Sequence, residues 1–194
     1  MSTYKLISVL LDYPSEELLG NLGEIQRRAA TESGLSFENL ERLTHFLAYL
    51  GSVDLLDLQA EYVQTFDMTP EHSLHLTHHL CGDDRNRGPA LIELTELYRT
   101  RGFEIPDNEL PDYLPLVLEF LHTLPAEEAQ GFLAEAGRVV AIIAANLERS
   151  ASPWHAGLRI LADMSGYKDD PKACGEDMRP TKDVCQSACG AMID

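Results

Sequence analysis

Seven histidines and four cysteines have the widest chemical range in this chain, and their spacing decides what they could do. His75 and His79 stand four apart, which on a helix places both on one face. His72, His78 and Cys81 lie close by in sequence. Zinc takes His and Cys ligands, but such a site needs a complete ligand set in a recognised pattern. These residues form no HExxH and have no CxxC beside them, so surface or capping roles are expected and no stably bound metal or cofactor. Cys174, Cys185 and Cys189 form a second group. Three thiolates could hold a soft metal or an iron–sulfur cluster, although their spacing matches neither usual ferredoxin run. The alternative is reduced thiols on a flexible tail.

Motifs for nucleophilic or phosphate chemistry are absent: there is no GxSxG, no GxxxxGK[ST] and no GxGxxG following a strand. Carboxylates are so numerous that no pair stands out as acid and base. The reading is of a protein that is not an enzyme. With 32 acidic and 15 basic residues the formal net charge is −17. That surface repels phosphate backbones and anionic lipid, and it attracts basic peptides. Nucleic acid and membrane insertion are therefore not expected. The same acidity also serves simple solubility.

One segment combines stiffness, charge and an apolar helix. Glu109-Leu-Pro-Asp-Tyr-Leu-Pro places two prolines and two acids at the start of a run containing Leu114, Val117, Leu118, Leu121 and Leu124. Asp112 is a candidate cap for that helix, stiffened by Pro111 and Pro115. The stretch from Asp83 to Gly88 carries both charge signs and a glycine hinge. Two rigid edges of this kind beside an apolar groove would suit a basic amphipathic helix.

The elements that position these residues are helical throughout. Ser15 is placed to cap a helix bearing Leu18, Leu19, Leu22 and Ile25, with Glu16 and Glu17 in its first turn. Ser36 opens a second, with Leu40, Leu43, Leu47 and Leu50 before Gly51. Ser52 restarts the chain into a helix carrying Leu55, Gln59, Tyr62 and Phe66. Met68 to Gly88 reads as a long connection with one short helical piece. Pro89 suits the first turn of a helix ending before Gly102, and Phe103 to Asn108 reads as extended. The longest helix follows Pro125, and a last one, capped by Ser152 and Pro153, bears Trp154, Leu158, Leu161 and Met164. No sustained alternation of the strand kind appears. The expected architecture is all-α, a single-domain helical bundle over residues 1–165, followed by a flexible Cys-containing tail over 166–194.

The opening MSTYKLISVLLDYP has a single Lys and a short apolar run broken by Asp12 and Pro14, without the features of a secretory signal. The longest apolar run, Val139 to Ala145, falls far short of the roughly 20 residues that span a bilayer. Four cysteines are too few for a secreted disulfide scaffold. The expected location is the cytoplasm.

Three linked motifs carry a family resemblance: Tyr62-Val-Gln-Thr-Phe-Asp67, His79-Leu-Cys-Gly-Asp-Asp-Arg-Asn-Arg-Gly88, and Glu109-Leu-Pro-Asp-Tyr-Leu-Pro with Leu118-Glu-Phe120. In this order and separation, and with the opening Tyr4 to Pro14, they resemble the NarJ-type nitrate reductase molybdenum cofactor assembly chaperones of the wider TorD/DmsD group. The resemblance implies a TorD-like helical fold. It also implies a chaperone that binds the basic N-terminal segment of the apo catalytic subunit of respiratory nitrate reductase and holds it for cofactor insertion before membrane attachment. Matched residue by residue, it designates Tyr62, Phe66, Asp67, His79, Asp83, Arg85, Arg87, Gly88, Glu109, Pro111, Asp112, Leu114 and Glu119 as the partner-binding set. An apolar groove is expected near Tyr62, Phe66 and Leu114, in a monomer or weak dimer. Tyr113 departs from the wider group, which often has His there. The rival reading is a helical metal or redox carrier using the tail cysteines.

Overall fold

Residues 2–32, 34–81 and 87–167 are described by the computed structural model of the chain. Among them no strand forms, and nine α-helices supply the architecture. The apolar run before Asp12 makes the first, α1 (Thr3–Leu11), and buries Leu6, Ile7, Leu10 and Leu11 on the helical i, i+1, i+4, i+5 pattern. Ser2 caps it by accepting from the Lys5 amide.

Local capping follows the residue types. α2 (Glu16–Glu32) begins with Ser15 Oγ accepting from the Leu18 amide at 3.1 Å, and α3 (Phe37–Leu50) with Ser36 accepting from Asn39. α4 (Leu55–Tyr62) is capped by Asp54, through the Leu56 amide at 3.0 Å, and not by Ser52. It runs directly into a π-helical turn, Val63–Asp67. The expected long connection holds a 3₁₀ turn at Pro70–His72 and the short α5 (Leu76–Cys81). α6 (Arg87–Thr100) begins before Pro89.

α7 (Leu114–Thr123) starts at Tyr113, which has no side-chain cap, with Pro115 in its first turn. This corrects the expected cap: Asp112 faces away from α7, toward α5. α8 (Ala126–Arg149) runs for 24 residues, about 36 Å at the helical rise, and supplies the spine of the core. α9 (His155–Ser165) has Trp154 as its N-cap, not Ser152 or Pro153, and the indole is wholly buried. Gly166 then takes a left-handed conformation at φ 72° to end the helix.

α9 lies close along α8. A Cβ placed on Gly137 would meet Ser165 Oγ at 2.4 Å and Tyr167 Cβ at 3.1 Å, so only glycine permits this approach. α1 is held between α7 and α9: Ser8 Oγ donates to the Pro115 carbonyl at 2.9 Å, and Leu11 touches Gly157. Of the expected tail, Gly166 and Tyr167 are described. Cys174, Cys185 and Cys189 lie outside the described residues, as do Asp83 and Arg85.

Candidate functional site

Asp112 stands at 0 % exposure where two loops cross. The chains there pair as a short antiparallel bridge: the Leu76 amide donates to the Asp112 carbonyl at 3.0 Å, and the Leu114 amide to the Leu74 carbonyl at 2.9 Å. The Asp112 carboxylate accepts from the Thr77 amide at 3.2 Å and from the Thr77 hydroxyl, with His75 Nδ1 at 3.1 Å and Arg87 Nη2 at 4.0 Å. Arg87 Nε also donates to Thr77 Oγ1 at 3.1 Å. Burial alone would push this carboxyl up, but the hydrogen bonds from His75 and Thr77 outweigh it and hold it below the ordinary range. Asp112 therefore satisfies the first turn of α5 and anchors the start of α6.

A second assembly surrounds Tyr62. Its ring and those of Phe46, Phe66 and Trp154 meet at centroid distances of 4.7–5.5 Å. Trp154 Nε1 donates to the Glu61 carboxylate at 3.2 Å. Tyr62 donates to the Leu11 carbonyl at 2.9 Å. The Tyr113 hydroxyl faces both the Tyr62 oxygen, at 2.8 Å, and Asp12 Oδ1, at 3.3 Å, with a single proton for the two. Burial pushes both phenols well above the ordinary tyrosine range, so they act as neutral hydrogen-bonding groups.

The expected groove over Tyr62, Phe66 and Leu114 is corrected by these positions, since all three side chains are buried in the core. The reason is the stripe Leu58–Tyr62–Phe66, which turns inward along α4 and is closed over by Trp154 of α9. Pro111 and Asp112 are buried as well, so neither forms an exposed edge. Asp67, Gly88 and Glu109 are exposed. His79 Nε2 lies 2.7 Å from the Ser73 carbonyl, to which it donates, and burial lowers its pKa.

An open cleft of about 380 Å³ lies on the other side of the Tyr13–Tyr62 contact, where the two rings meet edge to face at 5.5 Å. Val9 of α1 and Leu18 and Ile25 of α2 give it an apolar floor, with Tyr13 at one end. Its rim is Asp12, Glu17, Glu24 and Glu119, with Lys5 and Arg28 among them. Lys5 Nζ pairs with Glu119 on α7, and Arg28 Nε with Glu24 at 2.6 Å. Among the described residues anticipated from sequence, only Glu119 lines this cleft. Asp12 ties it to the buried pair, because its carboxylate faces the Tyr113 hydroxyl while also accepting from the Tyr13 amide at 2.8 Å. No local sequence signal marks it, because Val9 lies beside the buried Leu6 and Leu10 on α1, and Lys5, Glu24 and Glu119 are far apart in the chain.

Among the described residues no group of three or more His, Cys, Asp or Glu is arranged to hold a metal ion. Nor is any helix there long and apolar enough to cross a membrane.

A family model described as nitrate reductase delta subunit matches residues 34–159. The chain is 36% identical over 171 residues to the nitrate reductase molybdenum cofactor assembly chaperone NarJ of Escherichia coli (strain K12), covering 88% of this chain and 72% of that protein. A Bacillus subtilis (strain 168) relative sharing the NarJ designation is 32% identical over 159 residues, covering 82% of this chain and 85% of the relative. The fold matches the crystal structure of an Archaeoglobus fulgidus protein assigned to redox enzyme maturation. The TM-score is 0.57 at 22% identity, over 84% of this chain and 92% of that one.

Proposed function

This chain belongs to the nitrate reductase delta subunit family, and from that premise we propose that it is a dedicated assembly chaperone for a respiratory nitrate reductase and not itself an enzyme. In this reading it works in the cytoplasm and binds the basic N-terminal segment of the apo catalytic subunit. It holds that subunit for molybdenum cofactor insertion and delays its membrane attachment. The cofactor is the partner's cargo, and no residue here is assigned to it.

The observation that carries the reading is the cleft between α1 and α2, with its apolar floor and four-acid rim. An amphipathic helix laid in such a groove buries its apolar face, at about 25 cal/mol per Å² of apolar area. The net charge of −17 steers a basic segment toward the rim. Glu119 belongs to the docking surface itself. Tyr62, Phe66, Pro111, Asp112 and Leu114 serve it from behind, as the packed wall that fixes α1, α4 and α7. His79 and Arg87 hold the neighbouring loop and helix start, while Asp67 and Glu109 add exposed negative charge.

Calorimetric titration of a synthetic N-terminal peptide of the catalytic subunit tests this. The parent chain is expected to bind at low salt. Val9→Glu, which places a charge on the half-exposed floor, is expected to abolish the heat of binding while the helical circular dichroism persists. Leu56→Glu, at a position 74 % exposed on α4, is expected to bind like the parent. Equal binding by Val9→Glu and the parent would show that the peptide docks elsewhere.

A further inference from the structure

The cleft already contains a cation of its own on Glu119. Lys5 reaches this carboxylate from α1, across the space between two helices, and the paired side chains are 36 % and 40 % exposed. Lys5 gains little from its own helix. It sits in the first turn, where the macrodipole disfavours positive charge, and α1 has no acid there to offset it. Glu24 on the opposite wall is different, because Arg27 and Arg28 of its own helix both hold it. Glu119 is thus the rim acid whose cation comes from another element and can swing away on a flexible four-carbon stem.

We propose that Glu119 reads an arginine of the incoming segment and that Lys5 is the internal placeholder this arginine displaces. The inference rests on the cleft being the peptide site. A guanidinium offers a carboxylate two parallel N–H donors in fixed geometry, whereas the Lys5 ammonium meets it as a point charge. Exchange at Glu119 is therefore downhill for arginine and near neutral for a peptide lysine. Because the half-exposed Lys5–Glu119 pair is weak, it lowers peptide affinity by at most about fivefold. The pair thus biases the cleft by no more than that factor toward segments that carry arginine.

The test is a double-mutant cycle on the full chain, titrated with the synthetic N-terminal peptide and with an analogue whose arginines are replaced by lysine. Lys5→Gln is expected to tighten the arginine peptide about three- to fivefold. Glu119→Gln is expected to weaken it about tenfold and to erase the preference over the lysine analogue. In the Glu119→Gln background the Lys5 substitution is expected to have no further effect. Lys5→Met, which keeps the apolar stem, repeats the arm if the glutamine variant loses helical content. An unchanged affinity in both Lys5 variants overturns the proposal. So does a gain of equal size with Glu119 absent, which would mark a general charge effect. If every protein, the parent included, fails to bind either peptide, the docking reading falls and this inference with it.

Discussion

Asp112 is a full carboxylate with no solvent contact, a state a protein tolerates only when hydrogen bonds replace the lost water. Here the Thr77 amide and hydroxyl do so, with a further hydrogen bond from His75 and the Arg87 guanidinium nearby. Substituting Asp112→Asn leaves the shape but removes the charge, and it is expected to cost about 1–3 kcal/mol at neutral pH, read by urea unfolding. The pH dependence has a definite sign. The folded-state pKa lies below the ordinary 3.8, so the stabilisation is complete above that value and is lost as pH falls through the folded-state pKa. The gap between parent and variant is therefore expected to be largest near pH 7 and to close below pH 4. A gap that widened on acidification would contradict this assignment. Tyr113 is the other residue whose role needs the fold to be seen. Its phenol bridges the buried Tyr62 to the cleft acid Asp12.

At the scale of elements, α1 does most to organise the molecule. It touches α2, α7 and α9, buries four large aliphatic side chains, and turns Lys5, Val9 and Asp12 toward the cleft. The α8–α9 pair is the rigid platform beneath it. That rigidity depends on Gly137, where the helices approach more closely than any Cβ allows. Gly137→Val is expected to force α9 away from α8 and to destabilise the fold by about 1–3 kcal/mol, seen as a lowered thermal midpoint. Gly131→Ala, on the same helix with open space around it, is expected to leave the midpoint unchanged or slightly raised. An unaffected Gly137→Val midpoint would mean that the two helices do not pack at this distance in solution.

For the whole molecule, the charge of −17 is the property a distant partner meets first. Steering by such a field raises the rate of encounter more than the lifetime of the complex. Stopped-flow mixing with the basic N-terminal peptide is therefore expected to show an association rate that falls steeply between low and physiological salt, while the dissociation rate changes little. A dissociation rate carrying most of the salt dependence would place the decisive ion pairs inside the complex. The proposed docking on the cleft would place the partner on the α1–α2 face.

From the sequence alone, the helical class, the starts of α2, α3 and α8 and the family resemblance were determined, because periodicity and caps such as Ser15 and Ser36 are local properties of the chain. The motif residues were legible too, but not their direction. Tyr62, Phe66, Asp112 and Leu114 could have lined a groove or filled a core, and only the packing of α9 and α5 against them decided for the core. The cleft itself was invisible in one dimension, because Lys5, Glu24 and Glu119 become neighbours only when α1, α2 and α7 meet. Pairings across such separations depend on how buried faces are apportioned among helices, and tertiary packing alone makes that choice.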